Sequence, residues 1–190
     1  MDIKQITSTI MNEIDEATKN VDEDVLIKVF STIHNGNRIF FHGNGRSLMT
    51  IKYFAQRLMH QGYRVFIVND VATPAIRQGD VLVEVSATGE DANLIAAAET
   101  TKKIGDIKLI IVTADASSTL AKMADVVVKL NVPVPGSAED KSIQPIGAQF
   151  EQAVLYTMDV GLSHYFMSRL GITLGGAAGI NQNPLHANLQ

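Results

Sequence analysis

The chain has 190 residues, 46% of them hydrophobic and 19% charged, so it can bury a sizeable core and lacks the charge-rich composition of a disordered segment. Twenty acidic against sixteen basic side chains leave a net charge of −4, which removes any global positive field for nucleic acid or an anionic membrane. Cysteine is absent, which excludes disulfides, thiolate metal sites and cysteine nucleophiles, and no apolar run approaches the ~20 residues of a bilayer-spanning helix. With a polar N-terminus and no signal-peptide core, the sequence predicts a soluble, cytoplasmic chain with neither a membrane nor a nucleic acid as partner.

Ile3, Ile6, Ile10, Ile14, Ala17 and Val21 recur at steps of three and four, the stripe of a first amphipathic helix. A second helix is predicted to start at Asp22 as N-cap, to bury Val25, Leu26, Val29, Phe30 and Ile33, and to stop at Gly36. The period then changes to short β-branched or aromatic runs: RIFF from Arg38, RVFIV, VLVEV, KLIIV and VVVKL. Helical segments closing on Gly62 and Gly105 separate them, and such apolar strands alternating with helices predict a five-stranded parallel sheet covered on both faces. A last long helix is expected from about Ile146 to Leu170, stopping at Gly171. The remainder has no period and reads as a flexible tail over 171–190, so the whole of 1–190 is expected to form one α/β domain, with the N-terminal helices in 1–36.

Chemistry is expected in two strand-to-helix turns. The first is Gly43-Asn44-Gly45-Arg46-Ser47 after strand one, and the second is Ser86-Ala87-Thr88-Gly89-Glu90-Asp91 after strand three. In the flavodoxin-like order 2-1-3-4-5, strands one and three are neighbours at the topological switch point, where open α/β sheets hold ligands. Glycines that let backbone amides approach, hydroxyl donors and two helix N-termini suit a phosphate or another small anion. The dinucleotide fingerprint fails because Leu48 stands where its third glycine belongs, and the Walker ending is missing. His34, His42, His60, His164 and His186 show no zinc spacing, so no metal is expected.

GNGRS, RLMHQGYRVFIV, TPAIRQGD, SATGED, STLAKMADVVV, QPIGAQFEQ and the terminal HANLQ, in this order along nearly the whole chain, resemble the 6-phospho-3-hexuloisomerases of the sugar-isomerase (SIS) domain superfamily. The resemblance implies an αβα sandwich, a homotetramer or homodimer, and interconversion of D-arabino-hex-3-ulose 6-phosphate with D-fructose 6-phosphate without metal or redox cofactor. It implies Glu151 as the base that carries a proton between neighbouring carbons through an enediol, and His60 as a helper in moving protons between sugar oxygens. It assigns Gly45, Arg46, Ser47, Ser86, Thr88 and Gly89 to the phosphate and sugar oxygens, and it makes His186 in the tail a candidate to complete a site, that of a neighbouring subunit included.

The chain departs from the family where Gly-Ser-Gly-Glu-Thr is common after the loop serine. Thr88 keeps a hydroxyl, but Asp91 puts a carboxylate in place of one, which repels a dianion unless it turns away to cap the helix. Two other readings stay open: a phosphosugar-binding module without turnover, and an isomerase of a different sugar phosphate.

Overall fold

The computed structural model describes residues 2–171, so the expected tail with His186 lies outside the described residues. Helix α1 (Ile3–Thr18) starts at Asp2, which forms a capping box with Gln5. Its apolar stripe is used only in part: Ile14 and Ala17 are buried, while Ile3 is 82% exposed. Helix α2 (Glu23–Asn35) begins as predicted, with the Asp22 carboxylate accepting from the backbone N–H groups of Asp24 and Val25, and stops at Gly36.

The sheet comprises β1 (Ile39–Gly43), β2 (Val65–Ile67), β3 (Val81–Val85), β4 (Lys108–Thr113) and β5 (Val126–Lys129). All pairs are parallel and the order is β2-β1-β3-β4-β5, which places β1 beside β3 as the switch-point argument requires. Helix α3 (Gly45–His60) follows β1, α4 (Ala92–Ile104) follows β3, and the short α5 (Thr119–Met123) follows β4. Successive strand residues face opposite sides. Ile39, Phe41, Val81, Val83, Val85, Ile110 and Val112 join Phe54 and Leu58 of α3 and Val29 and Ile33 of α2 in one core. Phe40, Leu82, Leu109 and Ile111 join Leu94 and Ala98 of α4 in the other.

Two expectations need correction. The crossover from β2 to β3, residues 68–80, carries no helix. It has a single strand to cross, Val68 and Ile76 cover the α4-side core without helical structure, and Asn69 and Gly79 adopt positive φ. The last long helix is also interrupted. It begins at Ala148 as α6 (Ala148–Val154), widens into a π-helix over Leu155–Leu162, and ends as α7 (Ser163–Arg169). Side chains of Ser163 and His164 donate to the carbonyl oxygens of Asp159 and Val160 where the π-helix returns to α-helix. Among the described residues no helix is long and apolar enough to cross a membrane.

Candidate active site

The turn after β1 is built for close approach. A Cβ on Gly43 would lie 3.2 Å from the Val85 carbonyl oxygen on the neighbouring strand, and Gly45 opens α3 with φ +50. Asn44 is the N-cap residue of α3, yet its side chain makes no cap bond. Instead its amide donates to Asp91 and Asn93 at 3.0 Å each and accepts from Asn93 at 2.9 Å, so the two turns are stitched together. Arg46 projects from the first turn of α3 and its Nε donates to Glu151 Oε2 at 2.6 Å. The guanidinium side is open to solvent, whereas the Glu151 side chain is only 12% exposed. Ser47 lies half-buried in the same turn of the helix.

Glu151 comes from the first turn of α6, whose N-cap Gly147 is left-handed at φ +83. The segment leading into that helix is fastened to α1 by one carboxylate. Glu13 accepts from the Ser142 hydroxyl at 2.7 Å, the Gln144 side-chain amide at 2.8 Å and the Ile143 N–H at 3.2 Å. Burial pushes the Glu13 carboxyl up, but these three hydrogen bonds outweigh it and hold the group below the usual carboxylate range. Sequence reasoning missed Glu13, because a glutamate on an amphipathic helix carries no local sign of a partner some 130 residues away.

The turn after β3 is closed on itself. Ser86 is buried; its Oγ accepts from the Gly89 N–H at 2.8 Å and donates to Asp91 Oδ2. Gly89 has φ +67, and a Cβ there would sit 2.1 Å from Ser118 Oγ, so no side chain fits. Thr88 is exposed and its hydroxyl accepts from the Glu90 N–H at 3.3 Å. The Glu90 carboxylate receives the Thr119 N–H at 2.7 Å and so caps the start of α5. Asp91 holds the N-cap position of α4 without making a side-chain cap bond; its oxygens go to Ser86 and Asn44. The alternative in which it turns away to cap its helix is therefore not adopted.

Beneath this turn lies a pair that sequence reasoning also missed. His42 and Glu84 are register partners on β1 and β3, both buried, with His42 Nδ1 2.9 Å from Glu84 Oε1. Burial pushes the Glu84 carboxyl up, the contact with His42 opposes the shift, and the nearby charge of Asp91 adds to it. Glu84 Oε2 has no partner among the described residues. Only a period-2 reading of VLVEV placed against the start of GNGRS could have flagged the two side chains as facing one another.

The predicted residues thus fall into three groups. Gly45, Arg46, Ser47 and Glu151 form one cluster, and Ser86, Thr88, Gly89 and Asp91 form a second that Asn44 joins to the first. His60 stands apart: it ends α3, fifteen residues after Gly45, about 22 Å along the helix. Nearer that end, Arg57 holds the buried Asp159 of the π-helix through bonds of 2.6 and 2.9 Å. A cavity of about 540 Å³ opens at the opposite, amino-terminal edge of the sheet, between Lys28, Asp80, Lys108 and Asp125 among others, and none of the predicted residues reaches it.

Against known proteins, the SIS domain family model matches residues 32–155. The 3-hexulose-6-phosphate isomerase of Methylomonas aminofaciens is 32% identical over 189 residues, covering 97% of this chain and 96% of that protein. The 3-hexulose-6-phosphate isomerase of Bacillus subtilis is 32% identical over 165 residues, covering 84% and 86%. A solved structure of a hypothetical protein from Methanococcus jannaschii, for which a molecular function of 3-hexulose-6-phosphate isomerase was inferred, superposes with a TM-score of 0.72 at 26% identity, covering 88% and 90%.

Proposed function

Because the chain belongs to the SIS domain family, we propose that it is a sugar-phosphate isomerase interconverting D-arabino-hex-3-ulose 6-phosphate and D-fructose 6-phosphate. The observation that carries a catalytic reading is the pairing of Glu151 with Arg46, which brings a nearly buried carboxylate to the first strand-to-helix turn at the switch point.

In the forward direction Glu151 takes the proton from C2, the carbon beside the C3 carbonyl, and the electron pair of that bond forms the enediol between C2 and C3. The same proton returns to C3 while the O2 hydroxyl proton moves to O3, so C2 becomes the carbonyl and no electrons leave the sugar. Arg46 steadies the carboxylate and faces the oxygen on which negative charge develops. Ser47, the Gly45 turn and the hydroxyl-bearing second turn hold the sugar's oxygens.

His60 lies about 22 Å along α3 from that centre, so it serves the chemistry only as a contribution to the site of a neighbouring subunit. We place the chain in the cytoplasm as a homotetramer or a homodimer. Met49 and Tyr53 on α3, with Tyr156 and Val160 on the π-helix, leave exposed apolar surface that such an assembly would cover. His186 is expected to help complete the site, and removal of residues 183–190 should lower activity strongly while light scattering still reports the parent oligomer.

A coupled assay for fructose 6-phosphate formation from the 3-hexulose phosphate tests the reading. Turnover supports it, whereas ligand-induced stabilisation without turnover selects the binding module instead.

A further inference from the structure

The α4 face of the sheet is apolar at Phe40 and Leu82 and turns polar two residues further along the same strands, at His42 and Glu84. Both are buried, with His42 Nδ1 2.9 Å from Glu84 Oε1, while Glu84 Oε2 has no hydrogen-bond partner among the described residues. The strands do not need this pair to stay in register, because β1 and β3 are aligned over five residue pairs from Ile39 and Val81 to Gly43 and Val85. Two apolar side chains would cost less to bury there, so what sets the pair apart is the proton it can hold. With Glu84 ionised and His42 neutral the pair carries one negative charge, and a proton on Glu84 Oε2 or on His42 Nε2 brings it to zero. Ser86 follows Glu84 by two residues and Gly45 follows His42 by three, so an anion held at either turn lies within about 10 Å of the pair. Across that distance in a partly dry crevice, a dianion raises a group's hold on a proton about tenfold or more. Few other charges compete. From α4 only Asp91 reaches Glu84, where it adds to the upward push of burial. Next to Glu84, β4 sets Ile111; α5 turns Leu120 to this face while its Lys122 lies near Glu90 and Asp115. The segment after β2 lays Val68 on the face, and Asp70 beyond it pairs with Lys52. Arg46 and Glu151 belong to α3 and α6, which pack with Phe41 and Val83 on the opposite face.

We propose that the His42–Glu84 pair belongs to the anion-binding machinery of the crevice: it takes up a proton from solvent when a dianion binds and releases it when the dianion leaves. This rests on the sugar-phosphate reading above for the place where the anion sits. No bond within the ligand changes; the proton comes from the buffer, and the pair passes from one negative charge to none. By linkage, anion affinity is greatest while the pair is protonated and falls as the pH rises through the raised carboxyl value.

The test is a calorimetric titration of inorganic sulfate into the full chain between about pH 5 and pH 9, in pairs of buffers with different ionisation enthalpies. Sulfate is a dianion throughout that range, so any proton taken up goes to the protein. The parent should take up about half a proton or more per sulfate at its maximum, and its affinity should fall about tenfold from the low end of the range to the high end. Glu84→Gln removes the ionisable carboxyl while keeping its shape; it should lose most of that uptake and bind sulfate about tenfold more tightly than the parent at the high end. Should that variant fail to fold, Glu84→Leu combined with His42→Leu makes the same comparison with an apolar pair. No sulfate binding by the parent, binding without proton uptake, or undiminished uptake in the folded variant would overturn the proposal. A chain that binds sulfate with proton uptake but fails the coupled assay loses the isomerase reading and keeps this one, and turnover without uptake does the reverse.

Discussion

At the end of β1 the chain turns with a cation in front and open space around its glycine, whereas at the end of β3 it turns with a carboxylate in front and its glycine wedged against Ser118. Both turns join a central parallel strand to a helix, and from spacing alone both read as anion cradles. The difference lies in what each turn does with its own polar groups. The first spends Arg46 on Glu151, a residue of α6, and leaves the start of α3 without a side-chain cap; the second satisfies Ser86, Gly89, Asp91 and Glu90 within itself and against α5. Glycine and hydroxyl content therefore marks a turn that can approach a ligand, but the hydrogen bonds a turn spends on itself decide which of its polar groups remain free.

The contrast can be broken most forcefully at the glycines. Gly89→Ala should destabilise the chain by more than ~3 kcal/mol, because it combines an overpacked contact with positive φ, and should abolish ordering of the second turn. Gly45→Ala meets no atom within 4 Å and should cost only about 1–2 kcal/mol, the ordinary penalty of a left-handed residue. Denaturant unfolding of both variants measures the difference, and equal losses would mean that the second turn is no more tightly held than the first.

A smaller effect separates Glu151 from its support. Glu13→Gln should lower kcat about tenfold with little change in KM, since it loosens the segment that delivers Glu151 and leaves both turns intact. Glu13 is held below its ordinary carboxylate value, so its contribution to stability is present above the unfolded pKa, 4.5, and is lost as the pH falls below it. Acid unfolding of the parent should accordingly begin at higher pH in a Glu13→Gln background; coincident acid transitions would show that the clamp contributes nothing.

The smallest effect concerns the pair under the second turn. Burial raises the Glu84 carboxyl, so its contribution is most favourable below the unfolded pKa and is lost as the pH rises through the raised folded value. Melting temperatures of Glu84→Gln should therefore fall less than those of the parent between pH 5 and pH 8. A parallel decline in both proteins would place the loss elsewhere.

Much of this architecture was legible in residue patterns. The strands showed as β-branched runs, Asp22 and Gly36 bounded α2, and the switch point followed from strand order. The pairing of Glu151 with Arg46 was not legible, since nothing local tells a glutamate near a helix start from a solvated one; only motif resemblance singled the two residues out. The π-helix stayed hidden because a widened turn has no signature in residue type: LYTMDVGL reads as a continuation of the helix before it. Glu13 and the His42–Glu84 pair stayed hidden for a different reason: their meaning arises only when segments distant in sequence become neighbours. His60 shows the converse, a residue singled out by its motif that the length of α3 sets about 22 Å from Gly45.

The central claim is that Glu151 carries the proton, and it is most directly tested by turnover of the 3-hexulose phosphate in the parent and in Glu151→Gln. Stabilisation by fructose 6-phosphate should be followed in the same samples. The account predicts a loss of at least ~10²-fold in kcat with the ligand-induced melting shift retained, because the amide keeps the shape and cannot take the proton. Near-parental turnover in Glu151→Gln would contradict it.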